Sequence, residues 1–488
     1  MAFVNFGLSL ASALLLILVF PRFDLTWLAP VALTPLLIAC ARETSWRRRL
    51  LNGWIAGAVF WGGMCYWLQF VLEVHGGMGR WGGWGAFVLF ALYKGLHMAA
   101  FSLLAGFLMQ KSWAMPVAAA LWAGLERTHG PAWFAWLDLG NAGIDSPLPM
   151  RLAPFTGVYG LSFVFAMTGC AIALIVLKRP RRELAWLIFL PGIFLLPSAP
   201  ARVAGTETVM VVQPNVDTEA EFTVQSLKDL EDRLAALSRA PGVNVIVWPE
   251  VPAPFYPASD PFREYVGQVA RDSKTSFLFG GVARTAKGAP LNSAFLVNPA
   301  GEIADRYDKI NLVPFGEFVP APFGFVNRIT NEAGDFVPGN RVAILPVNGR
   351  HIGAFICYES AFPDLVRQFT RGGAEFLVNL SNDGYVGGSA GREQHLALVR
   401  MRAAENRRWI LRATNDGITA MIDPEGRRTD TIPGFRELSA RMRYSYATEI
   451  TPYARYGDWF AWGCLIAGLA GVGFAVRRQA GLSAVPDH

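Results

Sequence analysis

The stretch 184–213, LAWLIFLPGIFLLPSAPARVAGTETVMVVQ, changes character in its middle. It is uncharged and largely apolar up to Leu196; charge returns at Arg202, and a β-branched run from Val209 to Gln213 follows. Long apolar runs belong to a bilayer, and short β-branched runs belong to a sheet. The chain therefore divides here. Residues 1–205 carry long uncharged runs, 206–450 have the composition of a soluble domain, and 451–488 return to one apolar span with a short tail. At 52% hydrophobic over 488 residues, the whole is too apolar for one soluble globule.

A hydrocarbon core about 30 Å thick takes roughly 20 apolar residues of helix. Eight candidate spans are read, at 3–20, 25–41, 52–72, 84–109, 113–127, 153–177, 184–199 and 458–476; the second, fifth and seventh are short. No Lys or Arg precedes Arg22, and the small-residue cleavage site of a signal peptide is missing, so the first span reads as an anchor. Basic clusters flank the spans: Arg42 with Arg47, Arg48 and Arg49, then Lys178, Arg179, Arg181 and Arg182, then Arg477 and Arg478. On the eight-span count all three lie on one side, which the positive-inside rule makes cytoplasmic. The domain between the last two spans is then expected outside, on the extracytoplasmic side. These clusters also account for the net charge of +6. With no basic stripe interleaved with aromatics in 206–450, nucleic acid is excluded as a partner.

Within 206–450, short strands at Val209 to Gln213, Val243 to Trp248, Phe277 to Gly280, Ser293 to Val297, Ile352 to Cys357 and Phe376 to Asn379 alternate with helical stretches at Ser226 to Ser238 and Glu393 to Glu405. The pattern predicts a mixed α/β sheet packed by helices rather than a sandwich. Of five cysteines, Cys40, Cys65, Cys170 and Cys464 fall in apolar segments and only Cys357 in the soluble region. With no soluble disulfide partner, Cys357 is either buried and inert or kept for its chemistry.

Three motifs stand where a strand runs out into a loop, the usual place for a ligand in layered α/β domains: Trp248-Pro249-Glu250, Tyr307-Asp308-Lys309 and Ile356-Cys357-Tyr358-Glu359. Together they offer a full set for nucleophilic acyl chemistry. Glu250 can take the thiol proton, Cys357 can attack a carbonyl, and Lys309 can stabilise the oxyanion and favour ionised sulfur. Taken singly, each also reads as something plainer: a solvated loop acid, a surface lysine, a small buried hydrophobe.

The trio resembles the Glu-Lys-Cys triads of the nitrilase (carbon-nitrogen hydrolase) superfamily, and the flanking residues resemble the apolipoprotein N-acyltransferase family. The stretch Ile310-Asn311-Leu312-Val313-Pro314-Phe315-Gly316-Glu317-Phe318-Val319-Pro320 carries the likeness beyond Lys309. It extends through Val378 to Asp383, Gln394-His395, Arg402-Ala403, Glu405, Ala413-Thr414-Asn415 and Gly417-Ile418-Thr419. Gly157 to Phe163, Tyr453-Ala454-Arg455 and Gly457-Asp458 join from the apolar regions. The resemblance implies an α/β nitrilase-like sandwich inserted between transmembrane helices of a multi-span membrane protein. It implies Glu250 as general base, Lys309 as charge stabiliser and Cys357 as acylated nucleophile, with Glu317, Tyr358 and Glu359 as supporting or substrate-binding residues. The implied reaction moves a fatty acyl group from a membrane phospholipid, through a Cys357 thioester, to the α-amine of a diacylglyceryl-cysteine on an apolipoprotein. The resemblance also implies a bacterial inner membrane with the catalytic domain on the periplasmic side, and no cofactor; nothing in the sequence demands a partner subunit, so a monomer is expected.

Two departures touch substrate choice: Gly384-Tyr385-Val386 stands where an aromatic pair is common, and Phe222 where a tryptophan is. Two motifs are set aside. Gly387-Gly388-Ser389-Ala390-Gly391 mimics a serine-hydrolase elbow, but a loop precedes it and His395 follows too closely. Gly77 to Gly82 mimics a dinucleotide fingerprint with no strand before it. Six histidines show no ligand spacing with the cysteines, so no metal is expected. Lys94 and His97, three apart on one span, are expected to face the bundle interior or a wet cavity. The rival functions are a membrane-tethered amidase of the same superfamily and a non-catalytic receptor.

Overall fold

A computed structural model describes residues 1–131, 134–218, 220–239, 241–251, 257, 260–318 and 336–483. Val319 and Pro320 of the quoted stretch lie outside the described residues. The chain forms two units: residues 1–69, 80–199 and 456–488 make the first, and residues 70–79 with 200–455 the second.

The first unit is helical. Ala2–Val19, Gly79–Leu108, Val158–Val176 and Trp459–Arg477 are each long and apolar enough to cross a membrane, and Trp46–Met64 with Leu68–His75 makes a fifth if the bent pair counts as one. The short candidates take other forms. Thr34–Arg42 and Ala114–Glu126 are helices of 9 and 13 residues, and Arg181–Leu195 is a 3-10 helix with Pro191 inside it. Proline lacks the amide proton and crowds the preceding turn, so a regular α-helix does not run through this segment. Close helix contact elsewhere depends on small residues, as lipid-facing bundles require. A Cβ on Gly57 would stand 2.7 Å from the Gly95 carbonyl oxygen, so Trp46–Met64 and Gly79–Leu108 meet backbone to backbone there. Lys94 is fully buried, donates to the Phe134 carbonyl at 2.9 Å and sits 4.6 Å from the centre of the Trp61 ring. The rings of His97 and His129 meet edge to face at 4.6 Å.

The second unit is built on two six-stranded sheets. Its strands are β1 Glu207–Gln213, β2 Val245–Val247, β3 Ser276–Arg284, β4 Pro290–Val297, β5 Ile303–Asp308, β6 Ile344–Val347, β7 Arg350–Ile356, β8 Phe376–Ser381, β9 Ile410–Thr414, β10 Thr419–Ile422, β11 Arg428–Ile432 and β12 Leu438–Tyr444. One sheet runs β12-β1-β2-β3-β4-β5 and the other β11-β10-β9-β8-β7-β6. At their centres β1, β2 and β3 are parallel, as are β7, β8 and β9.

The side-chain alternation of the first sheet explains this layering. Val209, Val211, Val245 and Val247 point into one core shared with Leu345, Ile352, Ala354 and Leu377 of the other sheet. Their neighbours Met210, Val212, Ile246 and Trp248 point the opposite way, against Leu230 and Leu234 of helix Val224–Leu237 and Phe262 and Val266 of the helix at Asp260–Ser273. Helices Pro363–Arg371 and Gly391–Asn406 contribute Leu365, Phe369, Leu396 and Val399 to the packing around the second sheet. The domain is thus a sandwich with helices outside. The pattern-based expectation of a helix-packed sheet rather than a sandwich is corrected: a strand buried on both faces reads the same whether its second cover is a helix or another sheet.

Candidate active site

The central strands share a direction, so their C-terminal ends open at one end of the sandwich, where sequence reasoning located the three motifs. Glu250 follows β2. Its backbone is drawn against β3 because position 280 is glycine; a Cβ there would lie 2.7 Å from the Glu250 Cα, and the Gly280 amide donates to the Pro249 carbonyl at 3.1 Å. Lys309 follows β5 and Cys357 follows β7.

The buried Lys309 ammonium donates to Glu250 Oε1 at 3.2 Å and to Glu317 Oε1 at 2.8 Å. Asn292 on β4 donates through Nδ2 to the same two carboxylates, at 2.8 and 2.7 Å. Glu250 Oε2 accepts from the Asn382 amide at 3.0 Å, and Glu317 Oε2 from the Val313 amide at 2.8 Å. Burial alone would lower the Lys309 pKa, but Glu250 and then Glu317 outweigh it and hold the ammonium well above its ordinary range. Lys309 therefore stays charged throughout the physiological range.

Ile356 ends β7 in extended conformation, and Cys357 turns into a 3-10 turn, Cys357–Ala361, with φ +50°. That left-handed conformation crowds any residue with a Cβ and costs roughly 1–2 kcal/mol. Cys357 is partly exposed, whereas the other four cysteines are buried. The charges of Glu250, Lys309, Asp383 and Glu317 all act on its sulfur. Burial and then Glu250 push the thiol up, and Lys309 pulls it down without reversing the sign. The resting group is therefore a thiol, whose proton leaves during attack.

Glu359 lies beneath this surface, fully buried. Its Oε1 accepts from the Tyr307 hydroxyl at 2.7 Å and from the amides of Ile310 at 2.7 Å and Asn311 at 3.1 Å, while Oε2 accepts from the Ile356 amide at 2.7 Å. One carboxylate thereby ties the chain on both sides of Lys309 to the strand end that carries Cys357. Burial pushes the Glu359 carboxyl up to about 7 against these donors. Glu359→Gln turns one acceptor into a donor among donors, and is expected to cost about 1–3 kcal/mol of stability. Thermal unfolding of the purified protein in detergent measures it; an unchanged midpoint would remove the tie. Tyr358 is buried, its ring edge to face with Phe362 at 5.1 Å.

Sequence reasoning did not single out Asn292 or Arg412, and gave Asn379, Asp383 and His395 no role. Arg412 donates to Asp383 Oδ2 at 2.5 Å and to Asn379 Oδ1 at 2.9 Å. Asp383 Oδ1 lies 3.1 Å from His395 Nδ1, and His395 Nε2 lies 3.0 Å from the Cys357 carbonyl oxygen. His395 is thus turned toward Cys357, and Ser389 accepts from the Gly391 amide at 3.2 Å at the start of the next helix. Tyr385, about half exposed, meets His75 edge to face at 4.8 Å, and its hydroxyl lies in the field of Glu250, Glu317, Cys357 and Lys309. Phe222 packs, partly buried, against the outer core of the first sheet.

Paired six-stranded sheets ending in an acid, an ammonium and a thiol define a carbon-nitrogen hydrolase domain, and the family model of that description matches residues 208–448. The model for the apolipoprotein N-acyltransferase N-terminal domain matches residues 12–171. A protein of Geobacter metallireducens named apolipoprotein N-acyltransferase is 32% identical, over 97% of this chain and 96% of that one. One of the same name from Azotobacter vinelandii is 32% identical over 98% and 96%. An amidase crystal structure from Nesterenkonia sp. aligns at 18% identity with a TM-score of 0.38, over 53% of this chain and 95% of that one. The chain belongs to the apolipoprotein N-acyltransferase family.

Proposed function

We propose that this chain transfers a fatty acyl group from a membrane phospholipid to the α-amine of a lipoprotein's diacylglyceryl-cysteine, with Glu250, Lys309 and Cys357 as the catalytic groups. The observation that carries this reading is Lys309, hydrogen-bonded to both Glu250 and Glu317 while its charge and theirs act on the Cys357 sulfur. In the first half-reaction Glu250 takes the thiol proton as sulfur attacks the ester carbonyl. Lys309 stabilises the oxyanion. The tetrahedral adduct collapses to a thioester, and the departing glycerol oxygen takes the proton from Glu250 to leave as lysophospholipid. In the second, the lipoprotein amine attacks the thioester, Glu250 accepts the amine proton, and the sulfur leaves and is reprotonated as the amide forms.

Both substrates are anchored in the bilayer, so a site at its surface meets them without extracting either. The basic clusters at 42–49, 178–182 and 477–478 support a multi-pass arrangement of eight spans with the catalytic domain on the periplasmic side. All three catalytic groups belong to one chain, which supports a monomer. Glu317, sharing Lys309 and Asn292 with Glu250, is assigned to holding the ammonium; Tyr358 and Glu359 are assigned to positioning the turn that carries Cys357 rather than to touching substrate.

Intact-mass spectrometry after incubation with phospholipid tests the reading. A mass increment of one fatty acyl group, removed by mild hydroxylamine, is expected. Release of free acid, or of ammonia from small amides, without an adduct would favour the membrane-tethered amidase.

A further inference from the structure

The polar groups beneath the nucleophile form a closed chain that the triad chemistry does not use. Asn379, Asp383, Arg412 and His395 are all buried, at 0%, 2%, 0% and 5% exposure. The chain begins at Arg412, which grips Asp383 and Asn379, and ends on one atom, the carbonyl oxygen of Cys357, facing His395 Nε2 at 3.0 Å and Asn379 Nδ2 at 3.5 Å. The carbonyl oxygen and the Asp383 carboxylate both only accept, so each contact is a hydrogen bond when the ring nitrogen facing it carries a proton: Nε2–H toward Cys357 and Nδ1–H toward Asp383. Asp383 Oδ1, 3.1 Å from Nδ1, fixes the plane of the ring. The residue so gripped is the one at φ +50°, a conformation that a Cβ-bearing residue keeps only when its surroundings over-determine it.

Resting on the function proposed above, we propose that His395 is a positioning residue: its Nε2 proton, aimed by Asp383 and Arg412, holds the Cys357 backbone in the left-handed elbow from which the sulfur attacks. The alternative, a buried histidine that merely fills the core, has no use for a donor at this particular carbonyl.

Two substitutions separate these readings because each keeps a different half of the ring. In His395→Gln the side-chain amide reaches the position of Nε2 and retains the donor to Cys357. In His395→Asn the amide reaches only the position of Nδ1, keeping Asp383 and losing Cys357. The full-length enzyme in detergent is given labelled phospholipid, and the single-turnover rate of Cys357 acylation, the donor KM and the melting temperature are measured. For His395→Asn the acylation rate is expected to fall about 10- to 100-fold, with KM within about twofold. For His395→Gln the loss is expected to stay below about fivefold. Acylation at the wild-type rate in His395→Asn overturns the proposal. So does an equal loss in both variants that follows the drop in melting temperature. If His395→Asn folds too poorly to assay, His395→Gln decides: a loss beyond tenfold at unchanged melting temperature overturns it. Failure of the underlying function is separately visible, since Cys357→Ala would then still transfer acyl groups.

Discussion

Cys357→Ala is expected to eliminate acyl transfer, a loss of at least about 10⁴-fold, because the change removes the sulfur proposed to hold the acyl chain covalently between the two half-reactions. The assay is transfer of labelled acyl from phospholipid to a synthetic diacylglyceryl peptide. The protein should still fold: the change removes one sulfur from a partly exposed residue, and alanine meets the same φ +50° that cysteine already tolerates. Thermal unfolding within about 1 kcal/mol of the parent is the control. Cys357→Ser keeps the shape but offers a hydroxyl, a far weaker nucleophile against the same base, so its acyl adduct should be missing from the intact mass. A receptor that had kept the fold and lost its chemistry would be indifferent to both changes.

The features legible in the sequence were those with a local signature. Spans of about 20 apolar residues, β-branched runs ending in charged motifs, and the quoted stretches around Glu250, Lys309 and Cys357 all depend on neighbours along the chain. What was not legible depends on neighbours in space. Asn292, Asn379 and Arg412 lie inside runs that otherwise read as apolar strands, Pro290–Val297, Phe376–Ser381 and Ile410–Thr414. A polar side chain in a strand buried on both faces must find a partner, since burying it unpaired costs several kcal/mol. That rule could have marked all three as members of a network, though not which network. The strand pattern by itself missed the second sheet, which the family resemblance had implied, because Val209 and Met210 look alike on paper while facing different layers. The left-handed turn at Cys357 carries no residue signal at all: glycine would have announced it, and cysteine does not.

Glu250→Gln separates two things that the carboxylate does at once. As a base it removes the thiol proton, and as a charge it opposes ionisation of the sulfur. Glutamine has the same length, and its carbonyl oxygen can still accept from Lys309 and Asn292 while the ammonium keeps Glu317; its NH2 then faces the Asn382 amide, which loses its acceptor, so the melting temperature is measured alongside. Loss of the base is expected to slow acyl transfer by about 10³-fold. Loss of the charge has the opposite sign for the free thiol. Glu250 raises the Cys357 pKa, so removing its charge lowers it, the thiolate fraction at a given pH rises, and alkylation by iodoacetamide at pH 8 should become faster while acyl transfer becomes slower. The two rates moving apart is the signature of a general base acting on a neutral thiol. If alkylation slows together with transfer, Glu250 was instead taking the proton from the sulfur in the resting enzyme, and the resting group would not be a neutral thiol.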